Sequence, residues 1–374
     1  MNFDFTAEER ARMEAIDGIL AGWANPMDFE TRSNIPAIRN RALQAVRSLQ
    51  ALPYVAVGSQ AHLSRACLMA CSQKVAAFSP SLHLTVDMGI RLPVGILQAV
   101  SADTASSECA GLLEGKRLAA VAFRESTMNV VNDPLTTRAH LDGTDWLIDG
   151  AKSWVVNAPI SDVLLVAAAV EDGCGLFWVA ADAPGVSIGQ SLQALGFDGA
   201  AIAHMAFEGC RIPESNRIGV FDRRVLMNRL QDIENEILIA SAIGLMKAAF
   251  EEARDHAKTH RSGGKPIIAY QEVGFKLSEM LTQLQTAELL AYRTAWSIEN
   301  RVEDVESLLL CAKVFCAEAA ENVTGAALQI LSGKGYFGQS VSERAYRCAK
   351  YTQIAGTSTE IARVRIGDEA LGYK

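Results

Sequence analysis

The spacing of apolar residues changes twice along the chain, and this constrains the fold more than any other feature. Up to residue 115, apolar residues recur every three or four positions, as in segments 37–52 and 62–78, which is typical of amphipathic helices. Residues 116–222 carry short β-type runs separated by turn sequences such as Asp142-Gly143. Helical spacing then returns in segments 223–261, 266–301 and 305–331, followed by shorter helical segments at 342–350 and 357–371. We therefore predict an α+β chain, mostly α, with an N-terminal helical domain (1–115), a middle β-sandwich or barrel (116–222) and a C-terminal four-helix bundle (223–374).

Composition narrows the class of protein. The chain has 374 residues, 49% of them hydrophobic, which is enough apolar material for a large core. Its net charge is −8 and no block of five like charges occurs, so we expect no nucleic-acid partner. Thr6 followed by Glu9 predicts a helix-capping box close to residue 1, where no targeting pattern is visible. No apolar run is long enough to span a membrane, and eight cysteines without CxxC spacing indicate reduced core thiols in a cytoplasmic protein.

Two motifs match the patterns of known binding sites, but for each we favour a purely structural interpretation. Gly333–Gly338 matches GxGxxG, but a dinucleotide site needs a preceding strand, and the segment before it has helical spacing. We expect a glycine-rich turn between helices. His256 and His260 have a spacing that can hold a metal, yet the HExxH glutamate and a third ligand are missing. We expect a solvated helix end and no metal.

Several short motifs occur in one order along the chain. They are Gly150-Ala151-Lys152-Ser153-Trp154-Val155-Val156, then Phe207-Glu208-Gly209-Cys210-Arg211-Ile212-Pro213, then Arg261 with Lys265-Pro266-Ile267 and Gln271, then residues 327–336, and finally Ile354-Ala355-Gly356-Thr357-Ser358. This set resembles the acyl-CoA dehydrogenase family over nearly the whole chain. The resemblance implies a flavoprotein whose FAD lies between the β domain and the bundle. It also implies a homo-oligomer, a dimer or tetramer, in which a neighbouring subunit supplies part of the site.

The chemistry of this family needs a base for the α proton of an acyl thioester and an acceptor for the β hydride. A carboxylate in an apolar pocket can act as the base, and a flavin accepts the hydride. Many members carry the base just before the Gly-Thr of the late loop, where this chain has Ala355. A sub-branch that includes isovaleryl-CoA dehydrogenase places it on the first bundle helix, at a position that matches Glu234. Taken alone, Glu234 could be a surface charge, but it shares a helix face with leucines at positions 230, 238 and 245, and we predict that it is the base.

The remaining site residues follow from the resemblance. Those expected near the substrate are Asp232, Asn235, Ala355 and Gly356. Those expected near FAD are Phe123, Trp154, Val156, Arg261, Gln271, Gln329, Gly333 and Thr357, of which Arg261 and Gln271 would reach the FAD of a partner subunit.

The chain also departs from the family pattern. Arg124 stands where a threonine is usual, Asn129-Val130-Val131 replaces Gly-Ser-Asp, Val156 replaces a threonine near the flavin, and Asn235 replaces an arginine. These changes leave the tightness of FAD binding and the carrier, CoA or an acyl carrier protein, open. We predict FAD-dependent oxidation of an acyl thioester to its 2-enoyl form, with an electron-transfer flavoprotein as acceptor. The alternatives are a non-catalytic or flavin-poor accessory subunit, and other flavin chemistry on a thioester such as elimination.

Overall fold

The computed structural model describes residues 4–23, 25–31, 34–50, 63–100, 107–126, 129, 132–337 and 340–373; Val130, Val131 and Gly338 therefore lie outside the described residues. Helices come first, then strands, then helices, which confirms the predicted fold class. The N-terminal helices are α1 Ala7–Gly22, α2 Met27–Glu30, α3 Ile35–Gln50, α4 Arg65–Phe78, α5 Pro80–Val86, α6 Leu92–Ala99 and α7 Ser107–Leu113. A π-helical turn, Asp87–Arg91, joins α5 to α6. The exact domain boundaries stay a prediction.

The capping box at the start of α1 forms as the sequence predicts. The Thr6 hydroxyl accepts the Glu9 N–H at 3.2 Å, and the Glu9 carboxylate accepts the Thr6 N–H at 2.9 Å. Each side chain thus satisfies a backbone donor that the helix itself leaves unpaired.

The described residues between 119 and 221 form one connected sheet of eight strands. They are β1 Ala119–Ala122, β2 Arg138–Asp142, β3 Asp145–Val156, β4 Val163–Val170, β5 Gly173–Ala180, β6 Val186–Ile188, β7 Ile202–Pro213 and β8 Arg217–Phe221. The order is β6-β7-β3-β2-β4-β5-β8, and β1 pairs parallel with β4. Side chains alternate between faces, so Ala120 and Ala122 enter a core within the sheet while Ala119 and Val121 join the main core. The sheet therefore presents its second face to the helices.

The bundle is built around one long helix. Its members are α8 Arg223–Thr259, α9 Gln271–Glu299, α10 Val305–Leu331 and α12 Val341–Ile354, with the short α11 Gly333–Phe337 and α13 Thr359–Ala370 beside them. Every residue of α8 from Glu234 to Met246 is buried, since α4, α9, α10 and α12 all pack on it. A polar side chain in this part of α8 must therefore find a partner inside the protein.

The two motifs given ordinary interpretations lie in the bundle. Helix α10 ends two residues before Gly333, with Ser332 as its C-cap, so a helix stands where a dinucleotide site needs a strand. His256 and His260 stack at 4.7 Å at the end of α8. Within the described residues, no group of acidic, histidine or cysteine side chains could hold a metal, and no helix is long and apolar enough to cross a membrane.

Candidate active site

Glu234 lies buried in the middle of α8 and forms an ion pair with Arg124, which lies just beyond the end of β1. Arg124 Nη1 donates to Glu234 Oε1 at 2.9 Å and Nη2 donates to Oε2, an arrangement across 110 positions of sequence. Burial alone would lower the pKa of Arg124, but the Glu234 carboxylate raises it above its ordinary value. The guanidinium also lies 4.5 Å from the ring centre of Phe123. The pair therefore joins the sheet to the bundle.

The surroundings of Glu234 differ from the sequence-based expectation in one respect. Leu230 and Leu238 are buried one turn to either side of it, and Leu245 is buried about three turns further along α8, as the helix-face pattern predicts. A wholly apolar setting is nevertheless wrong, because Arg124 pairs with both carboxylate oxygens. A buried charge is tolerated when it is paired in this way.

Asn235 fixes the loop that follows α12. Its Nδ2 donates to Thr357 Oγ1 at 3.0 Å, and its Oδ1 accepts the Thr357 N–H at 2.9 Å. Gly356 has φ +68°, and a Cβ there would approach Asn235 Oδ1 more closely than 3.0 Å. Ala355 is buried and brings no carboxylate to this loop. The loop thus depends on a glycine and on one amide.

Gln231, one turn before Glu234, has a buried oxygen without a partner among the described residues. Its Nε2 donates to the Gly356 carbonyl at 3.5 Å, the same carbonyl that Arg124 Nη2 reaches at 3.4 Å. The side-chain oxygen of Gln231 makes no hydrogen bond, although the residue is only 5% exposed. An unpaired buried polar atom at a convergence of polar groups is a mark of a ligand site.

A second cation, Lys313 of α10, lies near the ion pair. Its ammonium donates to the Thr352 carbonyl, and burial lowers its pKa to about 8 against the opposing effect of Glu234. Burial also raises the pKa of Tyr351, and the Glu234 charge adds to that shift. No local sequence pattern marks Gln231, Lys313 and Tyr351, because only the folded chain brings their three helices together here.

Trp154 marks a cleft next to the ion pair. The residue is 50% exposed, has φ +54° and packs edge-on against His204. A small cleft, about 10 Å³ in volume, lies here, lined by Met88, Leu92, Val121, Phe123, Arg124, Trp154 and Val156. The side chains around it are apolar apart from one cation and include a half-exposed aromatic. This is the kind of lining that a flat ring system with a polar edge, such as a flavin, takes.

Glu125, the residue after Arg124, is held in place by several hydrogen bonds. Its carboxylate accepts from the Thr137 N–H at 3.0 Å, from the backbone and hydroxyl of Thr136, and from Lys152 Nζ at 2.8 Å. Burial opposes ionisation of Glu125, but Lys152 and these donors outweigh it and lower its pKa to about 2. Both side chains are nearly inaccessible, so the segment that carries Arg124 is anchored to β3.

Five of the predicted cofactor and substrate residues lie away from the Arg124–Glu234 ion pair. Arg261 follows the end of α8, and that end lies about 37 Å along the helix from Glu234 at 1.5 Å per residue. Gln271, Gln329 and Gly333 are exposed, as is Arg261. Asp232 does not face the ion pair: burial raises its pKa to about 7, and the neighbouring Glu306 adds to the shift.

Comparisons with known proteins agree with these features. Models for the acyl-CoA dehydrogenase middle domain and C-terminal domain match residues 126–210 and 224–371. The chain is 29% identical to benzylmalonyl-CoA dehydrogenase of Aromatoleum aromaticum over 381 residues, covering 99% of each chain. It is 30% identical over 306 residues to the mitochondrial 2-methylacyl-CoA dehydrogenase of Solanum tuberosum, covering 78% of this chain and 73% of that one. The solved structure of butyryl-CoA dehydrogenase from Megasphaera elsdenii superposes with a TM-score of 0.89 at 19% identity, over 99% of this chain and 100% of the other.

Proposed function

Because the chain belongs to the acyl-CoA dehydrogenase family, whose members are flavoprotein oxidoreductases that use FAD, we propose that it oxidises an acyl thioester to the 2-enoyl thioester. Glu234 removes the α proton. The observation that carries this proposal is a buried carboxylate on α8 opposite a late loop that has Ala355 in place of an acid.

FAD supplies the hydride acceptor when it is bound. Phe123, Trp154 and Val156 line the cleft beside Arg124 and would pack against the ring, and the Arg124 guanidinium also reaches the Gly356 carbonyl in the loop that Asn235 holds. Replacement of the usual hydroxyls by Arg124 and Val156 leaves packing and the guanidinium as the main contacts on this wall.

Burial equips Glu234 to act as a base. The carboxylate is inaccessible to bulk water, and its two oxygens are fixed by Arg124. A fixed base within reach of the substrate removes most of the orientational cost of proton transfer. Gln231, whose side-chain oxygen is unpaired among the described residues, lies one turn before Glu234, and its Nε2 donates to the Gly356 carbonyl at 3.5 Å.

A second copy of the chain completes the nucleotide site. Arg261 lies beyond the end of α8, many turns from Glu234, and Gln271 begins the next helix, so we assign them, together with Gln329 and Gly333, to a neighbouring subunit's cofactor. Large exposed apolar side chains on the bundle support such an assembly: Phe275, Leu289, Tyr336 and Phe337. All eight cysteines are free, which fits a reducing compartment such as the cytoplasm. Electrons pass to an electron-transfer flavoprotein, and the acyl group is carried by CoA or an acyl carrier protein.

Anaerobic titration of the purified protein with acyl thioesters tests the base. Wild type should lose flavin absorbance, whereas Glu234→Gln should keep its flavin and bleach at least a thousandfold more slowly. Glu236→Gln is the matched control, since Glu236 is also buried on α8 and also paired, with Arg65 at 2.7 Å. Unchanged bleaching by Glu234→Gln would contradict the assignment.

The accessory-subunit alternative has a different signature. Its purified protein should be colourless and should take up no FAD. A stoichiometric flavin that no thioester reduces would favour other chemistry on the thioester, which product analysis would identify.

A further inference from the structure

Arg124 is the more accessible member of the ion pair. Its side chain is 20% exposed and lines the cleft beside Trp154, whereas the Glu234 side chain is inaccessible. A guanidinium offers five N–H donors. The hydrogen bonds of Arg124 go to the two oxygens of Glu234 and to the Gly356 carbonyl, which leaves at least two N–H groups without an acceptor among the described residues. A ligand that enters from the cleft therefore meets this cation before it meets the carboxylate.

Proton removal moves negative charge from the base to the substrate. When the α C–H bond of a thioester breaks, the proton goes to Glu234 and the electron pair spreads onto the carbonyl oxygen. Glu234 thereby loses the charge with which Arg124 is paired. A guanidinium that contacts both groups keeps a negative partner throughout, because the charge only moves from one of its acceptors to another.

The distances allow both contacts at once. A base and the carbon that gives up its proton lie about 3–3.5 Å apart. The carbonyl oxygen of a thioester lies about 2.4 Å from its α carbon. Since Arg124 Nη1 lies 2.9 Å from Glu234 Oε1, the same guanidinium can reach an oxygen in that position. A carboxylate has about four lone-pair sites, so Glu234 can accept the proton while Arg124 still holds it.

Backbone donors in the facing loop are already used. The Ala355 N–H donates to the Tyr351 carbonyl at 2.9 Å, and the Thr357 N–H donates to Asn235 Oδ1 at 2.9 Å. The Asn235 amide donates in turn to the Thr357 hydroxyl. The Arg124 guanidinium, in contrast, has N–H groups to spare and is in contact with the base.

Resting on the proposed function, we infer that Arg124 is a second catalytic residue, which binds the thioester carbonyl oxygen and stabilises the charge that develops there while Glu234 removes the α proton. The contact involves the carbonyl and not the acyl chain, so it serves whichever acyl group the protein oxidises. A fixed donor of this kind acts mainly in the transition state, and its loss slows the reaction by a factor on the order of 100–1,000.

The stretching frequency of the bound thioester carbonyl tests the contact without turnover. Glu234→Gln holds the thioester unoxidised, and the probe is butyryl-CoA or isovaleryl-CoA, whichever bleaches wild type faster, isotopically labelled at the carbonyl carbon. Infrared difference spectra of Glu234→Gln should show the labelled band below its frequency in water, because a bound cation weakens the C=O bond. The band should return toward that frequency in Arg124→Met/Glu234→Gln, in which neither charge remains to be unpaired. Arg65→Met/Glu234→Gln is the matched control and should keep the shift, since Arg65 pairs with Glu236 instead.

Kinetics separate this role from one that only orients the base. Arg124→Met should lower kcat for flavin reduction about a hundredfold with KM little changed, because the contact strengthens as charge develops on the oxygen. Arg124→Lys keeps the charge and should recover part of the loss. Identical carbonyl bands in Glu234→Gln and Arg124→Met/Glu234→Gln, or an unchanged kcat in Arg124→Met, would overturn the inference and leave the proposed function standing. Failure of both thioesters to bleach wild type would instead count against the function itself.

Discussion

Gly356→Ala tests whether the active-site loop depends on its backbone conformation. The glycine has φ +68°, which costs a residue with a Cβ about 1–2 kcal/mol. The new Cβ would also displace Asn235 Oδ1 and meet Leu238 Cδ1 at 3.0 Å. Loss of the two Asn235–Thr357 hydrogen bonds adds about 1 kcal/mol each. We expect a total loss of about 3–4 kcal/mol in the free energy of unfolding.

Two other glycines separate the contributions. Gly143 has a similar φ, +67°, but nothing lies within 4 Å of its Cβ position, so Gly143→Ala should lose only the conformational part, about 1–2 kcal/mol. Gly367 is helical and also has open space, so Gly367→Ala should be stabilising by about 0.5–1 kcal/mol. Urea unfolding measures the free energy of unfolding of all three variants, which can be compared if its slope against urea concentration is unchanged. If Gly356→Ala cost no more than Gly143→Ala, the contact with Asn235 would have no energetic role.

Two further predictions concern buried charges. Lys152→Met leaves the Glu125 carboxylate buried without its cation and should lower the free energy of unfolding by about 3–5 kcal/mol. The double variant Glu125→Gln/Lys152→Met should recover most of this loss. A double variant as unstable as the single one would contradict the pairing. Asp232 keeps its proton in the folded chain up to about pH 7 but loses it near pH 4 when the chain is unfolded. Because the folded state binds more protons between these two values, the free energy of unfolding should fall as the pH rises through this window. Asp232→Asn should remove that fall, and unfolding midpoints measured from pH 4 to 8 would reveal an unchanged slope if the assignment were incorrect.

Local patterns predicted the elements well, because spacing and caps act over a few residues. The helix predicted at 223–261 ends at Thr259, and that predicted at 266–301 begins at Gln271. The predicted and observed helix ends differ in the connection between α8 and α9. There, Gly263 and Gly264 both take positive φ in a two-stranded ribbon of Arg261–Ser262 and Lys265–Pro266. A glycine pair indicates a turn but does not specify how many flanking residues pair around it.

The site was predictable only where one element carries the signal. Glu234 stood out because its position matches the base of a family sub-branch and because it shares a face of α8 with leucines. Its partner Arg124 was visible in sequence only as a departure from a family motif, since 110 positions separate the two. The Asn235–Thr357 pair spans 122 positions in the same way. Contacts of this kind depend on how the sheet docks on the bundle, which no local pattern encodes.

The ion pair between the sheet and α8 has a consequence for chimeric enzymes. A designer who exchanges the segment 116–222 with that of a relative would cut at two apparently clean boundaries. The graft would bring threonine, the residue usual in the family, to position 124 and leave a buried carboxylate on α8 without its cation, a defect of about 3–5 kcal/mol. Recombination of this fold should therefore treat positions 124 and 234 as one inherited unit.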